Sequence, residues 1–229
     1  MVRDVMPIFD GYALRPGLLC SLIDGPYSVS LAAWDASDLF VPPGRATHFG
    51  YVIDGPAILE CEMGTFTLKT GMVFAVPGRL RIRDGQGLLI TQRDYHGVFQ
   101  ISGPLEPQGR LRYIDGCTDS LLIAPPMLGD PCLNLLHLPA GTQQSQHTHP
   151  SLRLGLILSG YGECVTPHGR IPLEPNLAFV IHTNGPHSFH TTNEALRVLA
   201  FHPDSDFGPT HENHPMINRT ILPGQWVAS

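Results

Sequence analysis

Lysine is nearly missing from this chain: Lys69 stands alone, and 14 Lys+Arg against 20 Asp+Glu leave a net charge of −6. Nucleic acid is held chiefly by clustered cations, so this balance argues against a nucleic-acid partner. Long apolar runs are missing too. Near the amino terminus Leu14, Leu18, Leu19, Leu22 and Ile23 are interrupted by Arg15, Pro16, Gly17 and Asp24, which fits neither a secretory leader nor a membrane span. The five cysteines (Cys20, Cys61, Cys117, Cys132, Cys164) are odd in number, scattered and free of any C-x-x-C spacing. No disulfide framework is expected, and reduced thiols point to a soluble cytoplasmic protein.

What the chain does have is punctuation. Its 24 glycines and 22 prolines are spread between short apolar runs, and 42% of the residues are hydrophobic. That is the pattern of an all-β fold with a packed core and no long helices. Strand signals run over Tyr27–Trp34, Tyr51–Ile53, Ala57–Glu62, Thr65–Leu68, Met72–Val76, Leu80–Arg83, Leu88–Thr91 and Val98–Ile101, enough for one two-sheet barrel. Residues 1–26 read as an irregular entry segment with at most a short strand or helical turn near Gly17–Leu22. Pro and Gly in Gly103–Arg112 suggest a boundary, and residues past 208 read as a tail.

The chain also nearly repeats itself. A shift of 105 residues lays Gly50 on Gly155, Gly55 on Gly160, Gly64 on Gly169, Leu68 on Leu173, Phe74 on Phe179 and Val76 on Ile181. The same shift lays His48 on Arg153 and Ile82 on His187. Two barrels of one design are therefore expected: 27–108 and 109–208, flanked by the entry segment 1–26 and a tail over 209–229. Histidine is unevenly shared between them, since only His48 and His96 of the 12 lie in the first 110 residues.

In the second half His147 and His149 are two apart, so on an extended strand both side chains leave on one face. Two imidazoles so placed can meet one ion, and His187 offers a third nitrogen. One divalent transition metal is the expected cofactor, with Fe(II) leading and Zn, Mn, Ni or Cu open.

The frame around these residues resembles the cupin family. Gly141 is followed after five residues by His147-x-His149, after three more by position 153, and after six more by Gly160; a 15-residue interval then leads to Asn176 through His187. The resemblance implies two tandem double-stranded β-helix barrels of jelly-roll type, a bicupin with the metal motif in the C-terminal barrel alone. It also implies a Glu ligand where this chain has Arg153, and Gly and Pro where it has Asn176 and His182. Three of the four family ligands match, as His147, His149 and His187; a guanidinium cannot coordinate.

Arg153 keeps the parity of His149, so it should face the same interior. A buried cation beside a metal needs an anion: a protein carboxylate such as Glu163 or Glu174, or, in the favoured reading, the substrate's own carboxylate or phosphate. His182 precedes the turn Asn184-Gly185-Pro186 and is a candidate acid/base or orienting group at the barrel mouth; a surface turn histidine is the plainer reading. His137 and His202 read as interior or rim polar groups, Tyr51 and Tyr161 as packing residues, and Cys164 as a small buried apolar residue. His211-x-x-His214 reads as a loop.

Cupins with three histidines and no carboxylate include non-haem iron dioxygenases. The resemblance thus implies a metal-dependent oxidoreductase acting on a small anionic molecule, with Arg153 as anion clamp. A non-catalytic small-molecule-binding or sensor cupin is the rival, and a metal-dependent isomerase or lyase a further alternative. Exposed sheet edges and Pro-rich termini lead to the expectation of a homodimer.

Overall fold

In the computed structural model, residues 7–214, 216, 221–222 and 225–226 are described. The first half carries β1 (Phe9–Ala13), β2 (Gly17–Asp24), β3 (Tyr27–Asp35), β4 (Leu39–Val41), β5 (Ala46–Asp54), β6 (Ala57–Cys61), β7 (Gly64–Leu68), β8 (Val73–Pro77), β9 (Leu80–Arg83), β10 (Gln86–Arg93) and β11 (Gln100–Ser102). The second carries β12 (Leu111–Arg112), β13 (Thr118–Ile123), β14 (Cys132–Leu138), β15 (Arg153–Ser159), β16 (Gly162–Thr166), β17 (Gly169–Leu173), β18 (Leu177–Ile181), β19 (Ser188–Thr191) and β20 (Leu196–His202). Among the described residues there is no α-helix, only a 3-10 turn at Ile114–Gly116, so none is long and apolar enough to cross a membrane. All five cysteines are free.

Four sheets make two barrels. In the N-terminal one a six-stranded sheet, β11-β8-β5-β10-β3-β2, is closed by the four-stranded β4-β9-β6-β7; in the C-terminal one β1-β18-β15-β20-β14-β13-β12 is closed by β17-β16-β19. The alternation of side chains along the central strands explains why they read as unbroken apolar runs: both faces are buried. On β8, Phe74 and Val76 point into the N-terminal barrel, while Val73 and Ala75 point out of it toward the other half. On β18, Phe179 and Ile181 point into the C-terminal barrel, and Ala178 and Val180 point back toward the first. The outward residues of the two large sheets meet in a third core that includes Leu31, Phe49, Leu154, Leu156 and Phe201, each at most 2% exposed. At roughly 1.5–3 kcal/mol for each large apolar side chain, this core holds the barrels together as firmly as each is held itself.

The repeat is visible strand by strand: β6 and β7 map onto β16 and β17 at a shift of 105. The pairings agree. Gly50 on β5 lies opposite Phe74 on β8, and Gly155 on β15 lies opposite Phe179 on β18. In both barrels the phenyl ring lies over the glycine, filling the space a side chain would take. The boundary segment is a crossover between Ser102, where β11 ends, and Leu111, where β12 begins.

The entry segment departs from expectation. Residues 9–13 and 17–24 form regular strands, and β1 does not join its own half: it pairs antiparallel with β18 of the C-terminal barrel, Phe9 opposite Ile181 and Ala13 opposite Leu177. In the N-terminal barrel β11 holds the corresponding edge, against β8. The chain's own start thus covers a sheet edge that would otherwise be open, a pairing no local periodicity reveals. Residues 1–6 and much of the expected 209–229 tail lie outside the described residues; 209–214 are turn and loop.

Gly155→Ala is expected to force a methyl group into the Phe179 ring and the Leu199 carbonyl, lowering stability by about 1–3 kcal/mol, measured by urea unfolding. Gly44→Ala, with nothing near its added carbon, should stay within about 0.5 kcal/mol.

Candidate metal centre

Where the N-terminal barrel has a regular β4–β9 pair with buried Leu80 and Ile82, the C-terminal barrel keeps the return strand β19 but faces it with a loop joined at two isolated bridges, and that loop carries His147 and His149. His147 and His187 exchange both backbone hydrogen bonds, N–H to O at 3.0 Å in each direction, which pins the 147–149 segment against the return strand. The Asn184 N–H donates to His149 O at 2.8 Å. Asn184 has φ of 57°, a left-handed conformation that asparagine tolerates, and Gly185 N–H donates to His182 O at 3.0 Å. This tight turn aims His187 back at the pair.

The three imidazoles converge. Ring centroids are 5.0 Å apart for His147 and His149, 4.6 Å for His147 and His187 and 5.2 Å for His149 and His187. Their ligand nitrogens lie within 4.8 Å of one another, the one such group of His, Cys, Asp or Glu among the described residues. His147 Nδ1 lies 2.9 Å from Ser145 O and His187 Nδ1 2.9 Å from Gly185 O. A carbonyl only accepts, so each Nδ1 carries a proton and Nε2 is the nitrogen left to serve as metal ligand, the arrangement that fixes a metal-binding tautomer. Burial, with Arg153 as the next cause, pushes His149 down to about 3; burial, with His147 and Arg153 adding, holds His187 down at about 4. Both are therefore neutral at pH 7, the form that binds a metal. The donor set fits a single divalent ion.

The triad opens onto a cavity of about 260 Å³. Arg153 lines it, as expected, and is only 8% exposed, although a bend at Pro150 and Ser151 interrupts the extended run on which its parity with His149 was counted. Neither expected protein carboxylate partners it: Glu163 is bonded to Arg170 at 2.6 Å. Arg153 Nη1 instead donates to Ser151 Oγ at 2.6 Å, Leu152 O at 3.0 Å and Ser151 O at 3.1 Å, and lies 3.7 Å from Asp204 Oδ1. Its Nε is buried without a hydrogen-bond partner.

His182 is placed elsewhere. Its Nε2 lies 2.7 Å from Asp10 Oδ2 on β1, its backbone N–H donates to Ile8 O, and it is not among the residues lining the cavity. The carboxylate on the entry strand holds the ring, so His182 ties the added edge strand to the turn, outside the residues that line the cavity. Cys164 is fully buried, and burial pushes its thiol up to about 12, in keeping with a packing role.

Three lining groups were passed over or undervalued in the sequence: His202, Asp119 and Asn134. The signal for His202 was present, because Val198, Ala200 and His202 alternate along β20 and all three face the cavity. Its ring centroid is 6.4 Å from that of His149, and burial first, then Arg153, holds its pKa well below the ordinary histidine value. Asp119 and Asn134 sit on neighbouring strands, β13 and β14.

No protein-family model and no curated protein matches the sequence. Solved structures do. A cupin 2 conserved barrel domain protein from Leptotrichia buccalis superposes with a TM-score of 0.59 at 15% identity, covering 88% of this chain and 91% of that one. A salicylate 1,2-dioxygenase from Pseudaminobacter salicylatoxidans gives 0.58 at 12% identity, covering 83% and 76%. Protein Ylba from E. coli gives 0.56 at 17%, covering 90% and 88%. Likeness at this identity concerns the fold.

His149, His187 and His202 refuse protons in the folded state that they accept near pH 6.5 when unfolded. The unfolded chain then binds more protons below that pH, so the metal-free protein should lose stability as pH falls from about 6.5 toward 4. Asp119, raised by burial, opposes this only near the carboxylate range. Urea midpoints of chelator-treated protein at pH 7 and pH 5 check the sign; an equal or higher midpoint at pH 5 contradicts it.

Proposed function

We propose that this chain, a two-barrel cupin by fold, is a mononuclear metal enzyme that oxidises a small anionic organic molecule, with His147, His149 and His187 as metal ligands and Fe(II) as the leading ion. The observation that carries this reading is the meeting of three converging imidazoles with a buried guanidinium in one cavity. Three protein ligands leave coordination positions open, and a bound iron would supply oxygen activation there. The chain's own residues do the rest. Ser145 and Gly185 orient the imidazoles through their carbonyls. Arg153 seats the anion, since its Nε has no partner in the protein and Asp204, at 3.7 Å, offsets its charge only in part. Phe179, Ile181 and Phe189 make the apolar wall that limits water. The cavity, about 260 Å³, has room for a compact molecule.

The name of the superposed salicylate 1,2-dioxygenase supports an oxidative reaction without assigning its substrate here. Oxygen uptake over a panel of small carboxylates and thiols separates an oxidoreductase from a binding protein or an isomerase: a metal-loaded protein that binds a carboxylate yet consumes no oxygen contradicts the proposal.

His147→Ala and His187→Ala are each expected to abolish metal retention after dialysis, measured by elemental analysis. Arg153→Ala should keep the metal and weaken binding of an anionic ligand by about 1.5–3 kcal/mol, measured by calorimetry. Unchanged anion affinity would remove Arg153 from the site.

A further inference from the structure

Arg153 on β15 shares its cavity with a pair of groups that have acceptors to spare, on β13 and β14 of the same sheet. Asn134 Nδ2 donates to both oxygens of Asp119, at 3.0 and 3.2 Å. Because a carboxylate only accepts, this contact settles which way the amide points: nitrogen toward Asp119, oxygen away. That oxygen, Asn134 Oδ1, is buried and has no hydrogen-bond partner in the protein. Asp119, half-buried and also lining the cavity, has acceptor positions to spare as well. Two carboxylate oxygens offer about four acceptor positions, yet the hydrogen bonds they receive come from the single nitrogen of Asn134. Burial also raises its pKa, a sign that the carboxylate lacks full solvation. Buried acceptors left open are costly, and at the wall of a cavity their natural complement is a ligand's donor.

We propose that the molecule this site takes carries a hydrogen-bond donor, a hydroxyl or a protonated amine, seated on Asp119 and Asn134, in addition to the anionic group seated on Arg153. The inference rests on the reading that Arg153 holds an anion, and it narrows the ligand to small hydroxy or amino acids. An amine would be favoured further by the Asp119 charge. Tyr113 and Arg112 also line this end of the cavity. Arg112 is exposed and so has water for its own donors.

The test uses metal-loaded protein and three acids of one chain length: butanoate, 4-hydroxybutanoate and 4-aminobutanoate. Their donors are too far from the carboxylate to form a small chelate ring, so a difference among them reports on protein acceptors rather than on the metal. Calorimetry on the wild type should show at least one donor acid binding about ten-fold tighter than butanoate. Asp119→Leu and Asn134→Leu should each shrink that gap while butanoate binding is kept. If Asp119→Leu fails to fold, Asp119→Asn should reduce the preference for 4-aminobutanoate more than that for 4-hydroxybutanoate. Whichever donor acid is preferred identifies the donor. Three equal affinities, with butanoate binding lost in Arg153→Ala, overturn this inference and leave the anion reading intact. No binding by any acid to protein that retains its metal overturns both.

Discussion

A guanidinium buried beside three would-be metal ligands is the constraint to which the rest of this molecule answers. Desolvating an unpaired cation costs several kcal/mol, and a divalent ion close by would raise that cost. The chain meets it with layers of partners. Ser151 and the Leu152 carbonyl take the Nη1 protons, and Asp204 stands 3.7 Å away. Asp204 is itself held by Ser151 Oγ and, at 3.2 Å, by the hydroxyl of Tyr27 from the N-terminal barrel. Asp24, also of the first half, accepts from Leu152 N–H at 3.1 Å and from Thr183 Oγ1, so it grips both segments that flank the histidines. Gln92 Nε2 donates to Pro203 O at 3.2 Å beside Asp204. The charge balance of the second barrel is thus maintained in part by the first.

This gives the N-terminal barrel a use even though its interior is closed. Trp34, Phe74, Leu80 and Ile82 fill it, with Ile82 where the repeat puts His187. His48, where the repeat puts Arg153, is satisfied by Thr91 Oγ1 and Gly78 O, both at 2.8 Å, and burial lowers its pKa. One design has therefore been filled to make a support and hollowed to make a site. The difference turns on few positions: an apolar pair of strands in one copy, a histidine-bearing loop in the other.

Much of this was legible in the sequence because it is written in local terms. Short β-rich runs set off by Gly and Pro marked the strands, the shift of 105 marked the two barrels, and His-x-His with His187 marked the triad. Arg153 was read into the cavity by parity, and it lies there as the first residue of β15, after a bend that parity did not foresee. What could not be read depends on contacts far apart in the chain. Asp204, not Glu163 or Glu174, is the carboxylate near Arg153, and it is 51 positions away. The pairing of β1 with β18 spans most of the molecule, and with it went the placement of His182, which follows Asp10 rather than the cavity. Asp119 and Asn134 gave no motif because each is an ordinary polar residue until the two strands meet. His202 was legible in principle, since it shares the parity of Val198 and Ala200.

The central claim, one metal held by His147, His149 and His187, is tested most directly by X-ray absorption spectroscopy on protein loaded with one equivalent of Fe(II) under anaerobic conditions. The account predicts imidazole scattering from three nitrogens at about 2.0–2.2 Å, reduced in His187→Ala protein. A shell without imidazole scattering, or one unchanged by His187→Ala, would contradict it.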